Sequence, residues 1–301
     1  MKLTTSEVLY LGKYFEAPTA ISLMTNLQAD MTGTEELSLV KKGIIVNGAL
    51  SALVKEQLEV VANPTACTRI VLTNPFCLIE KYAYRRGDKK ILVENDDGEL
   101  EITVLEKESN IQMEIAEWIG ASNIKTADFQ ETIGYADLLT LFALIDFHRA
   151  NGLRSYLGEV AQKGTIDLKS LVESIVNPMP NSLVQSMRLN YGMPELETLA
   201  VEKALKILSD KAIIKIDHGY ALEGSFKLFA ENFLIPETVV MMETLSMLPD
   251  GGIKAANSLA YGAGLKDWIG ITFGSENVEV ETLTSVQLLQ SVTLYLGCPE
   301  E

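Results

Sequence analysis

Residue types that usually carry metal binding and nucleophilic chemistry are scarce in this chain of 301 residues. It contains only two histidines, His148 and His218, and three cysteines, Cys67, Cys77 and Cys298. The histidines are far apart in the sequence and no cysteine pair has C-x-x-C spacing, which argues against a zinc knuckle and a disulfide framework. We therefore expect reduced, mostly buried thiols and no metal ligands.

Long apolar runs are missing as well. The most apolar stretch, Leu138–Phe147, is interrupted by Asp146 and is much shorter than the roughly 18–20 residues that a membrane span requires. The N-terminus has an early acid, Glu7, and no apolar core follows it, so it does not have the pattern of a signal peptide. The sequence predicts a cytoplasmic protein that makes no contact with membranes.

Positive charge is in short supply. There are 25 Lys and Arg against 41 Asp and Glu, so the formal net charge is −16. Such a field repels nucleic-acid phosphates and anionic lipid, and we expect neither as a partner. The segment Lys81–Lys90 is the one basic cluster, with tyrosines between its cations. It has three interpretations: a nucleic-acid contact, a charged edge strand that resists pairing, and a surface that steers an acidic protein partner.

Known catalytic motifs are incomplete. Gly262–Gly264 lacks the third glycine of a dinucleotide fingerprint, because Asp267 stands in its place. Glu223–Phe226 is not a nucleophile elbow, since Lys227 occupies the position where the turn needs glycine. The acids at Asp96–Glu99 resemble a calcium loop only loosely, and a solvated hairpin tip explains them.

The two histidines have structural interpretations. His148 and Asp146 are two positions apart on a predicted helix and therefore point to different faces, so we expect a helix-surface or capping histidine. His218 lies in the turn Asp217–Gly219, whose composition suits a positive φ. No catalytic residue, metal ligand or cofactor is predicted, and the chain is not expected to be an enzyme.

The sequence contains an internal repeat. Leu39–Val46 is echoed by Leu208–Lys215, and in each copy a glycine and an Ala-Leu pair follow. Later in each copy, Tyr84–Gln112 is echoed by Tyr261–Gln290. Both copies predict a helix, a short strand, a glycine turn, a helix and then antiparallel strands, which indicates an internally duplicated, pseudo-twofold α+β fold.

The repeat divides the chain into three segments. We expect an N-terminal α/β repeat at 1–125, a helical insert at 126–190 and a C-terminal α/β repeat at 191–301, all packed as a single domain. Particular elements follow from local patterns: helices at Ala49–Val61, Tyr135–Ala150, Leu153–Ala161, Leu196–Ser209 and Leu222–Asn232, and a hairpin that turns at Asp97-Gly98. An apolar stripe on Leu196–Ser209 favours core packing, with partner docking as the alternative. Its members are Leu196, Leu199, Ala200, Ala204, Leu205 and Leu208.

In element order the chain resembles the EspG family of cytosolic chaperones of type VII (ESX) secretion systems. The resemblance is carried by Val8–Gly12, by LVKKGIIVNGAL at Leu39–Leu50, by Ala62–Pro64, by YRRGDKKILVENDDGELEIT at Tyr84–Thr103 and by the second, similar half. The long helical insert and the Lys-, Ile- and Glu-leaning composition indicate a divergent, low-GC Gram-positive member.

This resemblance implies a central twisted antiparallel sheet with flanking helical bundles. It also implies a non-catalytic role: binding a helical secretion substrate, WXG/LXG- or PE/PPE-like, and keeping it soluble for export. It marks no partner-binding residue in this sequence, and a small-molecule ligand is not expected.

Two other functions are compatible with the pattern. A tandem winged-helix DNA-binding regulator fits the repeated unit but needs a basic recognition helix, and Ser51–Val61 offers only Lys55 against Glu56 and Glu59. A hydrolase that uses carboxylates and a divalent cation is the third possibility, because acids are plentiful.

Overall fold

A computed structural model describes residues 1–96, 98–158, 164–262 and 267–297. The helices are α1 (Thr5–Leu11), α2 (Leu23–Asn26), α3 (Glu35–Lys41), α4 (Ala52–Ala62), α5 (Ser109–Ile119), α6 (Tyr135–Tyr156), α7 (Leu168–Val176), α8 (Leu183–Tyr191), α9 (Thr198–Asp210), α10 (Gly224–Asn232) and α11 (Ser285–Gly297). The first seven strands are β1 (Lys2–Thr4), β2 (Ile45–Val46), β3 (Ala49–Leu50), β4 (Ala66–Thr73), β5 (Leu78–Arg86), β6 (Lys89–Asp96) and β7 (Glu99–Val104). The others are β8 (Gln130–Gly134), β9 (Ile214–Ile216), β10 (Tyr220–Leu222), β11 (Thr238–Met247), β12 (Ile253–Gly262), β13 (Trp268–Phe273) and β14 (Asn277–Leu283).

Ten strands form one large antiparallel sheet in the order β1-β7-β6-β5-β4-β11-β12-β13-β14-β8. From the middle of the sheet to one edge, β4, β5, β6 and β7 follow in chain order, and β1 is the last strand. Toward the other edge, β11, β12, β13 and β14 follow in chain order, and β8 is the last strand. The series α3-β2-β3-α4, four strands and α5 recurs as α9-β9-β10-α10, four strands and α11. The predicted α+β class is confirmed, and the repeated order of elements is present.

The chain divides into two compact units. The first contains Met1–Trp118, Val240–Asn257 and Leu289–Glu301. One face of its strands packs on α1, α3 and α4 around a buried cluster that includes Leu11, Leu39, Leu58 and Val93. A capping box begins α1, because Thr4 and Glu7 exchange side-chain and backbone hydrogen bonds.

The second unit contains Ile119–Val239 and Ser258–Leu288. Its longest helix, α6, packs against α7, α8, α9 and α10 and is apolar on almost every face along Leu138–Ile145. A helix that is apolar all round is one that other elements surround. Asp167 caps α7 and Ser182 caps α8, each accepting from a backbone N–H of the first turn.

The predicted helix Ala49–Val61 begins later than expected, as does Leu222–Asn232. Ala49–Leu50 and Tyr220–Leu222 are strands of two short hairpins, and the helices start at Ala52 and Gly224. The first hairpin turns at Asn47 and Gly48, whose φ values of 52° and 80° suit a type I′ turn. The turn residues were predicted correctly, but Ala49–Leu50 and Leu222, which the sequence predicts as helix, belong to strands.

Two helices predicted at Tyr135–Ala150 and Leu153–Ala161 are one continuous helix as far as Tyr156, and the part of the second prediction at 159–161 lies outside the described residues. Gly152 lies between the two predicted helices. A Cβ at this position would lie 2.9 Å from Leu234 Cδ2, so the glycine allows close packing inside the helix.

Candidate functional site

Asp146 and Arg149 form a buried ion pair on α6. Arg149 Nη1 donates to Asp146 Oδ1, and the carboxylate also accepts the backbone N–H groups of Leu183 at 3.1 Å and Val184 at 3.2 Å. Arg149 Nε donates to the carbonyl oxygen of Leu234 at 3.1 Å. The pair therefore joins α6 to the first turn of α8 and to the segment after α10.

Burial raises the pKa of Asp146 to about 6, although the Arg149 guanidinium and the two α8 N–H groups act in the opposite direction. An acid perturbed in this way is typical both of functional sites and of structural ion pairs. Here every hydrogen bond of the carboxylate described above goes to the protein itself, which indicates a structural pair.

A cavity of about 150 Å³ lies beside this ion pair. Asn151 is the notable polar residue of its wall, because its side-chain oxygen is buried and has no hydrogen-bond partner among the described residues. Met179, whose side chain is 45% exposed, is at the surface end of the cavity. Polar and apolar residues contribute equally to the lining, which consists of Ala143, Asp146, Phe147, Ala150, Asn151, Arg154, Ile166, Ser174, Met179 and Ser182. The cavity is a candidate binding pocket.

His148 is half-buried on α6, and its Nε2 accepts the backbone N–H of Leu222 at 3.2 Å. Burial lowers its pKa, which favours the neutral ring that this acceptor role requires. Where a helix-surface or capping histidine was predicted, the structure has a half-buried ring that accepts a hydrogen bond from β10. His218 is fully exposed in the turn between β9 and β10 with a φ of 51°, which confirms the predicted turn conformation.

The basic cluster Lys81–Lys90 is neutralised by carboxylates. Its ion pairs are Lys81 with Glu94 and Glu114, Arg86 with Glu59, Lys89 with Glu56 and Lys90 with Glu108. Lys81 is buried, and its Nζ is 2.8 Å from Glu94 and 2.9 Å from Glu114. The edge-strand interpretation is wrong, because β5 and β6 are interior strands. These pairs reduce the positive field on which a nucleic-acid contact depends.

The same pairs bear on the winged-helix alternative. Its recognition helix would be α4, which carries Glu56 and Glu59 as the partners of Lys89 and Arg86. The strands after α4 and α10 join the ten-stranded sheet. No feature of the described residues favours this alternative.

The remaining motif residues have structural positions. Buried Asp267 accepts the N–H of Thr126 at 2.6 Å and that of Ala127 at 3.3 Å, which fixes the loop before β8. Cys67 is buried and Cys77 is half-buried, and within the described residues neither forms a disulfide bond. Some residues named in the sequence analysis lie outside the described residues, namely Asp97, residues 263–266 and Cys298.

Half of the apolar stripe predicted on Leu196–Ser209 is core, and Leu196 and Ala200 are half-buried. Ala204, Leu205 and Leu208 are buried, as the packing interpretation predicts, and Val201 joins them. Leu199 departs from the prediction, since its side chain is 58% exposed.

Among the described residues, no group of three or more His, Cys, Asp and Glu side chains is placed to hold a metal ion. No described helix is long and apolar enough to cross a membrane.

Comparison with known proteins gives a likeness of fold. No family model and no curated protein matches the chain. Among solved structures, the type VII secretion system chaperone EspG5 of Mycobacterium tuberculosis, in complex with the PE25–PPE41 dimer, matches 98% of this chain and 95% of its own, with a TM-score of 0.54 and 11% identity. The chain shares the fold of a secretion chaperone.

EspG5 supports the predicted architecture but assigns no residue roles, because 11% identity relates backbones and not side chains. The candidate residues of this chain must come from its own geometry. Sequence reasoning missed Arg149 and Asn151. The Asp146-x-x-Arg149 spacing was an available signal, since opposite charges one turn apart in an apolar helix predict a buried pair.

Proposed function

We propose that this protein is a cytosolic, non-catalytic chaperone of a type VII secretion system that binds a helical secretion substrate. The observation that carries the proposal is the likeness to EspG5, which extends over nearly the whole of both chains. EspG5 is seen in complex with the PE25–PPE41 dimer. A substrate of the same kind, PE/PPE-like or WXG/LXG-like, is the corresponding partner for this chain.

The residues of greatest chemical interest support a role in binding. Asp146, Arg149, His148 and Asp267 all hold neighbouring segments of the backbone in place. A reaction needs such groups aimed at a substrate. In this chain their hydrogen bonds go to backbone groups of neighbouring segments.

Apolar side chains at the surface also support a protein partner. Leu37 and Val40, one turn apart on α3, are 66% and 50% exposed. Phe76 is 88% exposed, and it is held in an ordered turn because Asn74 Oδ1 accepts the N–H groups of Phe76 and Cys77. Exposed aromatic and aliphatic anchors on ordered backbone are typical of binding surfaces.

Co-expression with helical type VII substrates, followed by size-exclusion chromatography, tests the proposal. We expect a stable complex, and the chaperone should raise the soluble yield of the substrate. A helical-bundle protein unrelated to secretion serves as the control and should elute separately. Failure to form a complex with any tested substrate, or equal binding to the control, would overturn the proposal.

A further inference from the structure

The outermost strand β8 has an open backbone edge. It pairs with β14 on one side, where the N–H of Thr282 donates to the carbonyl oxygen of Phe129 at 3.0 Å. Hydrogen-bonded and non-bonded pairs alternate along an antiparallel ladder, so the backbone groups of Gln130 and Thr132 point away from β14. Both residues are exposed, and no group in the described part of the chain pairs with their outward N–H and C=O groups.

The outermost strand at the other end of the sheet, β1, is protected by side chains. Lys42 Nζ donates to the carbonyl oxygen of Lys2 at 3.2 Å, and a Glu7 oxygen accepts the N–H of Thr4 at 2.7 Å. Both backbone groups lie on the side of β1 away from β7. Charged side chains, above all lysine, are a usual protection of sheet edges, whereas β8 contains neither lysine nor proline. Only the β8 edge is therefore open to a further strand over its length.

The sheet face next to this open edge is acidic. Glu279 and Glu281 of β14 lie directly opposite Thr132 and Gln130, so all four side chains are on one face. Gln130 donates to Glu279. Burial and the charge of Glu279 raise the pKa of Glu281, and Lys125 acts in the other direction although its ion pair is with another acid. An added strand would lie about 10 Å from β14, a distance that a lysine and a glutamate side chain together can span.

We propose that the β8 edge binds an extended, lysine- or arginine-bearing segment of a protein partner as a further strand. The outward backbone groups of Gln130 and Thr132 supply main-chain hydrogen bonds, and Glu279 and Glu281 select cations on one face. This binding mode does not depend on the proposed function.

Charge also separates this partner from a second copy of the chain. Two β8 edges would bring together two molecules that each have a net charge of −16. On the opposite face of β8, Glu131 is already paired with Lys211, so that face requires no charge from the added strand. A basic segment is thus the occupant that the charges favour.

Two short capped peptides test the edge on the full chain. One alternates lysine and valine, and the other has glutamate in place of each lysine. At low ionic strength we expect the lysine peptide to bind at least about tenfold more tightly. NMR should show shifted amide signals and slowed hydrogen exchange at Gln130 and Thr132. Equal affinity for the two peptides, or no added protection of these two amides, would overturn the proposal.

Variants separate backbone pairing from charge. Thr132→Pro removes an outward N–H group that the sheet itself does not use, and it should abolish binding of the lysine peptide. Lys2→Pro, which removes an outward N–H group of β1, is the matched control and should bind like the wild type. The double variant Glu279→Lys, Glu281→Lys should prefer the glutamate peptide. Full binding by Thr132→Pro, or an unchanged preference of the double variant, would contradict the assignment.

Self-association is the competing outcome. A dimer in size-exclusion chromatography that Thr132→Pro removes, and that excludes the lysine peptide, would show that a second copy occupies the edge and would refute a basic partner. Because neither peptide is a secretion substrate, failure of the lysine peptide to bind would leave the proposed function standing.

Discussion

The charged pair on α6 illustrates how burial changes the properties of single residues. Asp146 is almost fully buried, and its charge is compensated by Arg149 and by two N–H groups of α8. Burying such a pair costs desolvation energy that its mutual attraction only partly returns. The pair is therefore sensitive both to loss of a partner and to pH.

Arg149→Met should destabilise the protein by about 3–5 kcal/mol at pH 7.5, because it leaves the buried Asp146 carboxylate without its cation. The loss should be smaller at pH 5, where the isolated acid takes up a proton. Urea unfolding at the two pH values measures both effects. Arg86→Met, which removes a half-exposed ion pair with Glu59, is the control and should cost about 1 kcal/mol at most. Equal losses for the two variants would contradict the prediction.

Asp146 also predicts a pH dependence. Its pKa is about 6 in the folded chain against an ordinary value of 3.8, so the folded state binds this proton more tightly than the unfolded state. The stabilising effect of the neutral acid is complete below about pH 4 and is lost as the pH rises through 6. Asp146→Asn stays neutral throughout.

We therefore expect the unfolding free energy of the wild type, relative to Asp146→Asn, to fall between pH 4 and 6 by about 1.4 kcal/mol per unit at most. Urea titrations across this range measure the difference. His148 is present in both proteins, so its own titration largely cancels. A difference that rises with pH would show that the sign is wrong.

At the scale of the elements, a side chain on helix α6 holds strand β10 in place. His148 on α6 accepts the N–H of Leu222 in β10, where Leu222 is completely buried. The sequence pattern of the repeat does not indicate that a histidine side chain accepts this N–H group. Contacts of this kind depend on packing that local periodicity does not encode.

His148→Leu should cost about 1–3 kcal/mol, because it leaves the buried N–H of Leu222 without an acceptor. The exchange rate of that amide proton should increase along with the loss of stability, and hydrogen-exchange NMR measures it directly. His218→Asn, in the exposed turn of the same hairpin, should change stability by less than about 0.5 kcal/mol. Unchanged protection at Leu222 would contradict the assigned role.

Gly262→Ala tests the packing of β12. A Cβ at Gly262 would lie 2.6 Å from three ring atoms of Trp268, and the ring is buried. We expect a loss of about 1–3 kcal/mol from overpacking, together with a changed tryptophan emission spectrum. Gly164→Ala, where an added Cβ meets nothing within 4 Å, should behave like the wild type.

The sequence predicted long elements better than short ones. The residue pattern predicts strands at Leu78–Tyr84, Lys90–Glu94 and Trp268–Phe273, and the structure has β5, β6 and β13 there, with the same bounds for β13. The outermost strands β1 and β8, with three and five residues, were missed. They are strands because they pair with β7 and β14. The paired residues are far apart in the sequence, as Lys2 and Glu101 show. A pairing over such a distance leaves little local pattern.

At the scale of the whole molecule, the net charge of −16 should affect stability. Like charges on a folded chain repel one another, and salt screens the repulsion. Raising the ionic strength from about 0.01 M to about 0.1 M shortens the Debye length from about 30 Å to about 10 Å. We expect Tm to rise over this range, equally in NaCl and KCl. A falling Tm would mean that favourable ion pairs outweigh the repulsion.

The sequence revealed the repeated order of elements but not the cavity beside the Asp146–Arg149 pair. Paired segments such as Leu39–Val46 and Leu208–Lys215 share a visible pattern because the same helix, turn and strand recur. The cavity next to Asn151 has no such signature, since its walls come from α6, α7 and the segment before α8. A pocket made of separate helices is a property of packing.

The order of strands in the sheet has an evolutionary consequence. β4 and β11 are corresponding strands of the two copies, and they are neighbours at the middle of the sheet. An ancestor of half the length, pairing this strand with that of an identical molecule, would have built the same sheet as a homodimer.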